Sequence, residues 1–161
     1  MPRSPGTLLA LIAAFALAAV ALAVVLQYGF DMQPCAWCSF QRVLFIAVAL
    51  AALLARALQR VRPAHLAAVA LTVLLAAGGV WAALHHPLVA APAESCVYTF
   101  ADRFLIRSGL DWYLPWLFEA RASCAEANAP LLGLPFAAWS AALFLILGAM
   151  ALAALRTGPR N

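Results

Sequence analysis

The reactive chemistry of this sequence rests on its four cysteines, Cys35, Cys38, Cys96 and Cys124. The first two form a Cys-x-x-Cys within "MQPCAWCSFQR", and Arg42 follows Cys38 by one helical turn, which puts the two on one helix face. A Cys-x-x-Cys closes too small a loop to stabilise a fold much as a staple, so the spacing is better suited to dithiol–disulfide exchange. A helix starting near Cys38 would favour a thiolate there through its unpaired N–H groups and positive dipole end. Three other readings stand beside exchange: a zinc site with four cysteine ligands, two inert structural disulfides, and a non-enzymatic scaffold with stapled loops. Against zinc, Cys96 and Cys124 do not form a second short knuckle.

The elements that position these residues are apolar. The chain is 67% hydrophobic and 10% charged, where a soluble domain is about half apolar and a quarter charged. Four apolar stretches are expected to form helices, at about 8–26, 39–58, 66–84 and 136–155. A span needs roughly 20 such residues, and lipid allows the backbone of such a segment to be helical only. The first stretch is longer than the usual core of a signal peptide, about 7–15 residues, and is read as a retained helix. The expected fold is therefore an all-α integral membrane protein. It is a single domain over 1–161, a bundle of four transmembrane helices with loops at about 27–38 and 85–135 on one side.

Charge orients it. All ten basic residues are arginines, and Arg3, Arg56, Arg60, Arg62, Arg156 and Arg160 fall on one side in short segments. The positive-inside rule makes that side cytoplasmic, with both termini. All four cysteines then lie on the opposite, oxidising side, where an even cysteine count reads as disulfides or a redox relay. The long loop mixes Phe104, Ile106, Trp112, Trp116 and Phe118 with charged residues. Part of it is expected to lie at the headgroup level, holding the loop against the lipid bilayer. A small folded cap over the bundle is the alternative.

An arginine in the outer part of a spanning helix is costly, because it cannot discharge itself by losing a proton. One position is a snorkelling anchor for headgroups. With a cysteine one turn away, a paired site is the reading preferred here. A thiolate beside a fixed cation and apolar walls suits a lipid-soluble two-electron acceptor, and a quinone fits: an arginine can donate to its carbonyl oxygens.

"PCAWC" before the second helix, Arg42 four residues on, a long second loop with a separated cysteine pair, and "LPWLFEARASCAE" leading into "LLGLPFAAW" together resemble the disulfide bond formation protein B (DsbB) family. These are bacterial inner-membrane, quinone-dependent thiol oxidases, and the resemblance covers nearly the whole chain. It implies that Cys96 and Cys124 form the disulfide that meets a reduced periplasmic thioredoxin-fold oxidase of the DsbA type, Cys96 taking the mixed disulfide. Cys35 and Cys38 would receive the electrons through a Cys35–Cys124 bridge. Cys38, Arg42 and a histidine at the outer end of the third helix would face ubiquinone or menaquinone from the membrane quinone pool. His86 is preferred slightly over His85 for that histidine. Gln41 departs from members that carry an acid before the arginine. No metal and no nucleic-acid partner is implied. A vitamin K epoxide reductase-like enzyme also joins a helix bundle, a Cys-x-x-Cys and a quinone, but there the motif belongs to a later helix. A transporter is disfavoured, since the first, third and fourth helices offer only Thr72 and Ser140 as polar groups.

Overall fold

A computed structural model describes residues 5–90, 99–128, 130–131 and 133–157 of the chain. Its frame is four long helices: α1 (Pro5–Gly29), α2 (Ala36–Ala57), α3 (Arg62–His85) and, after the long loop, a fourth at Phe136–Thr157. A 3-10 turn (Leu58–Arg60) extends α2, and a π-helical turn (His86–Ala90) extends α3. Each of the four is long and apolar enough to cross a membrane. Between α3 and the last helix lie α4 (Phe100–Ser108), two single turns α5 (Leu110–Tyr113) and α6 (Pro115–Phe118), and a short hairpin of β1 (Pro130–Leu131) on β2 (Leu134–Pro135). The last helix is therefore α7.

The four long helices form a closed square in which α1 packs on α2 and α7, and α3 packs on the same two. Small residues make this packing possible. Ala13, Ala16, Ala49, Ala52, Ala55, Ala76, Ala151 and Ala154 are buried, while Leu50, Leu54, Leu74, Leu145 and Ile146 face outward. Lipid supplies no hydrophobic drive between helices, so close approach of small residues and dispersion hold such a bundle together. The closest approach is at Gly79, where an added Cβ would run into the ring of Phe144. Phe144 in turn stacks on Phe45, with ring centroids 3.8 Å apart.

Helix α2 begins at Ala36 rather than near residue 39, because Cys35 is its N-cap: the Cys35 sulfur accepts the Cys38 backbone N–H at 3.4 Å. Cys38 therefore sits in the first turn. Helix α3 runs through His85 and its π turn to Ala90, past the expected end near residue 84.

The described residues of the long loop fold as a cap. Thr99 and Asp102 form a capping box at the start of α4, and Gly109 ends it in the left-handed conformation (φ 69°). Ala101, Leu105, Leu117 and Phe118 are buried beneath it, and Phe104 sets its ring against Phe40 of α2. Trp112, Tyr113 and Trp116 remain exposed, Trp112 at 83%. The packed cap that the sequence left as the alternative is thus present, with bulky aromatics on its outer surface.

Candidate functional site

The short α1–α2 connection presents the Cys-x-x-Cys. Asp31 takes a left-handed backbone (φ 54°), a conformation that a short polar side chain tolerates. Met32 N–H returns to the Leu26 carbonyl, and the chain then runs through Pro34 into Cys35. The cap docks on the same stretch: the N–H groups of Arg121 and Ala122 both donate to the Pro34 carbonyl, at 2.9 and 3.2 Å. That clasp carries Cys124 to the mouth of the Cys-x-x-Cys.

Three sulfurs and one imidazole converge there. Cys35 Sγ donates to Cys38 Sγ at 3.2 Å and lies 3.4 Å from His86 Nε2. The reactive atoms of Cys35, His86 and Cys124 all lie within 4.8 Å of one another. His86 Nε2 also contacts the Cys124 carbonyl at 3.1 Å. Cys35 is therefore the central sulfur, with Cys38 on one side and Cys124 on the other; all three are free thiols. Cys96 lies outside the described residues.

The two histidines divide sharply. His86 opens the π turn and is 1% exposed beside the sulfurs. Single π turns recur at functional sites because they rotate side chains out of helical register. His85 instead stacks on Trp37, with centroids 4.5 Å apart, and rests against Trp81. It holds the tryptophan between the two motif cysteines, so of the two histidines His86 is the one at the sulfurs, and it is not among the residues lining the cavity beside Arg42.

The electrostatics separate the two loop-end thiols. Donation to Cys124, then to Cys38, together with burial, pushes the Cys35 thiol well above the usual range. The Cys124 thiol is lowered to about 5, because it receives the Cys35 hydrogen bond and a further one from His86, which outweigh its partial burial. These opposite shifts favour the thiolate form at Cys124 and the protonated form at Cys35.

Arg42 lies one turn below Cys38, 5% exposed. It does not snorkel. One guanidinium nitrogen donates to Gln27 Oε1 (2.7 Å) and the Leu117 carbonyl (2.8 Å), and the other to the Ala23 carbonyl (3.4 Å). It ties α1, α2 and α6 together without a carboxylate. Beside it, a cavity of about 680 Å³ opens between α1, α2 and α7. Its polar end carries Cys38, Gln41 and Arg42, and its walls include Ala19, Leu22, Leu26, Phe45 and Leu143. Such a space, mostly apolar with a few polar groups at one end, is how small-molecule sites are built. Arg42 Nε and Gln41 Nε2 are buried donors without a partner among the described residues. Two donors left open beside an apolar cavity suit a ligand with carbonyl acceptors.

Sequence reasoning missed Gln27. Nothing in an apolar run marks its last polar residue as the acceptor for an arginine fifteen positions on, although a buried cation demands some such partner.

The sequence profile described as "Disulfide bond formation protein DsbB" matches residues 5–154. The chain belongs to the DsbB family. Among its curated relatives, the "Disulfide bond formation protein B" of Cupriavidus metallidurans is 31% identical over 148 residues, covering 91% of this chain and 90% of its own. That of Herminiimonas arsenicoxydans is 32% identical, covering 80% of each chain. That of Haemophilus influenzae is 28% identical, covering 83% of this chain and 76% of its own. Family membership and the four long apolar helices make this DsbB-family chain a multi-pass membrane protein of disulfide bond formation, an oxidoreductase.

Proposed function

We propose that this protein is a thiol:quinone oxidoreductase that reoxidises a periplasmic thioredoxin-fold disulfide donor of the DsbA type. The observation that carries the reading is Cys35 lying between Cys38 and Cys124, at the head of an apolar cavity that Arg42 and Gln41 line. Termini in the cytoplasm and cysteines at the periplasmic face are part of the proposal, supported by the arginine distribution.

In the working cycle, a thiolate of the reduced partner attacks a Cys96–Cys124 disulfide at Cys96. A mixed disulfide forms and Cys124 leaves as a thiolate, which a hydrogen bond from His86 would favour. Cys124 then attacks a Cys35–Cys38 disulfide at Cys35, forming Cys35–Cys124 and releasing Cys38. The short distances around Cys35 suit that exchange, since a bridge needs Cβ atoms only about 3.5–4.5 Å apart. The partner's second thiolate resolves the mixed disulfide and leaves Cys96 reduced. Cys96 then attacks Cys124, restoring the first bridge and freeing Cys35.

The two electrons now reside on Cys35 and Cys38, and Cys38 lines the cavity. A bound quinone supplies the two-electron, two-proton acceptor that protein side chains lack. Cys38 would lie beside its ring, and Arg42 and Gln41 would donate to its oxygens. His86, touching Cys35, is placed to hold a proton as the Cys35–Cys38 bridge re-forms.

The test combines purified protein, a reduced thioredoxin-fold oxidase and a soluble quinone, with quinone absorbance followed over time. Stoichiometric loss of quinone as partner thiols disappear is the expected result. No loss of quinone would overturn the reading.

A further inference from the structure

The donor set around Cys35 fits a second kind of ligand. Tetrahedral zinc, with Zn–S of about 2.3 Å and Zn–N of about 2.0–2.1 Å, needs donor atoms about 3.8 Å (S to S) and about 3.6 Å (S to N) apart. Here Cys35 Sγ is 3.4 Å from His86 Nε2, and the Cys124 sulfur lies within 4.8 Å of Cys35 Sγ and the His86 donor nitrogen. Shifts of about an ångström would seat one ion among the sulfurs of Cys35 and Cys124 and the His86 nitrogen, with a water as the fourth ligand. We propose that the fully reduced protein binds a soft divalent metal ion of the zinc class at Cys35, Cys124 and His86. The bound ion keeps those sulfurs from re-forming a disulfide.

No electrons move in this step. Each coordinating cysteine that is still protonated releases its proton to water, the ion gains the sulfur lone pairs, and His86 Nε2 exchanges its contact with the Cys124 carbonyl for the metal. The same sulfurs cannot coordinate the ion and be bonded to one another, so metal and disulfide exclude each other. The surroundings favour a regulatory or inhibitory ion over a resident one. Metal-ligating histidines almost always anchor their second nitrogen, whereas His86 Nδ1 is buried with no partner among the described residues. The binding half of the proposal stands on these side chains alone. The consequence for turnover rests on the quinone-linked reading above.

Cobalt is the probe for the first half. The full-length, anaerobically reduced protein in detergent should take up one Co2+ per chain with the visible ligand-field bands of a tetrahedral thiolate site, and Zn2+ should bleach them. The same protein oxidised to its disulfides should show none, a comparison that needs no variant and so no folding control. Loss of a direct ligand should weaken binding at least as much as loss of an outer-shell partner does, about 10–100-fold. His86→Gln and Cys124→Ser should each show that loss, and Cys96→Ser should keep the bands. Absence of bands in the reduced protein, bands that survive both ligand variants, or bands lost in Cys96→Ser would each overturn the site. The second half is read as turnover. Zn2+ added to the reduced enzyme should block quinone loss, and a chelator should restore it. Metal binding with unaffected turnover would overturn the inhibitory role. If the untreated enzyme consumes no quinone, the functional reading fails while the cobalt spectrum still decides the metal site.

Discussion

The two ends of this bundle contain the same residue types in opposite roles. At the end bearing the Cys-x-x-Cys, Arg42 and His86 are buried, Arg42 among carbonyl and amide oxygens and His86 against a sulfur. At the far end, Arg56, Arg60, Arg62 and Arg156 are exposed. His65, as deeply buried as His86, donates from Nδ1 to the backbone carbonyl of Ala55 at 2.8 Å. Burial is therefore not what marks the functional end. What marks it is the partner: sulfur and an open cavity at one end, water and a helix carbonyl at the other.

Removing the last sulfur of the relay tests that contrast most severely. Cys38→Ser should abolish quinone reduction while a mixed disulfide with the partner still forms at Cys96, trapped and read by non-reducing electrophoresis. Normal quinone turnover by this variant would remove Cys38 from its role.

The next effect is in pH. Cys124 is lowered to about 5 from an ordinary 9.0, so its thiolate is fully formed above about pH 6 and is lost as pH falls through about 5. An ordinary thiol with a pKa near 9 would be about five-hundredfold less ionised at pH 6 than at pH 9. Alkylation of Cys124 in the reduced protein, followed by mass spectrometry, should be nearly flat from pH 8 to 6 and fall by half near pH 5. A tenfold fall per unit from pH 8 downward would show that neither Cys35 nor His86 stabilises its thiolate.

Arg42 comes third. Arg42→Met leaves Gln27 Oε1 and the Leu117 carbonyl without their donor, at about 1–3 kcal/mol each for a buried acceptor. If the arginine also donates to the acceptor, a charged hydrogen bond of about 1.5–3 kcal/mol is lost and the apparent quinone KM rises roughly 10–100-fold. An unchanged KM with lowered stability would reduce Arg42 to an anchor of α1, α2 and α6.

How much of this was legible in the sequence follows from range. Cys38 and Arg42 share a face because four residues make a helical turn, so their pairing could be read directly. The four apolar runs gave the bundle because lipid leaves a spanning backbone little else to form. The meeting of Cys124 with Cys35 could not be read, since it depends on Pro34 accepting two N–H groups from the far end of the cap. It was reached only through family resemblance. Gln27 and the stacking of His85 on Trp37 were likewise hidden, because each depends on the rotation of one helix against another. Hydropathy carries no such angle.

The smallest effect probes the far end. His65 is 0% exposed, and its Nδ1 joins the first turns of α3 to the last turns of α2 through Ala55. Its Nε2 has no partner among the described residues, so the side chain contributes one hydrogen bond and already leaves one polar atom unsatisfied. His65→Leu removes both the donor and the orphan. The Ala55 carbonyl, in the last turn of α2, loses its His65 donor, so the cost should be about 1–3 kcal/mol for an unsatisfied buried group. Thermal unfolding in detergent should shift down by a few degrees, with quinone KM and turnover unchanged, whereas His86→Leu should impair turnover at least as much as it lowers stability. If His65→Leu slowed turnover as much as His86→Leu, the two ends would be coupled through α3. The division of this molecule into a reactive end and a structural end would then have to be abandoned.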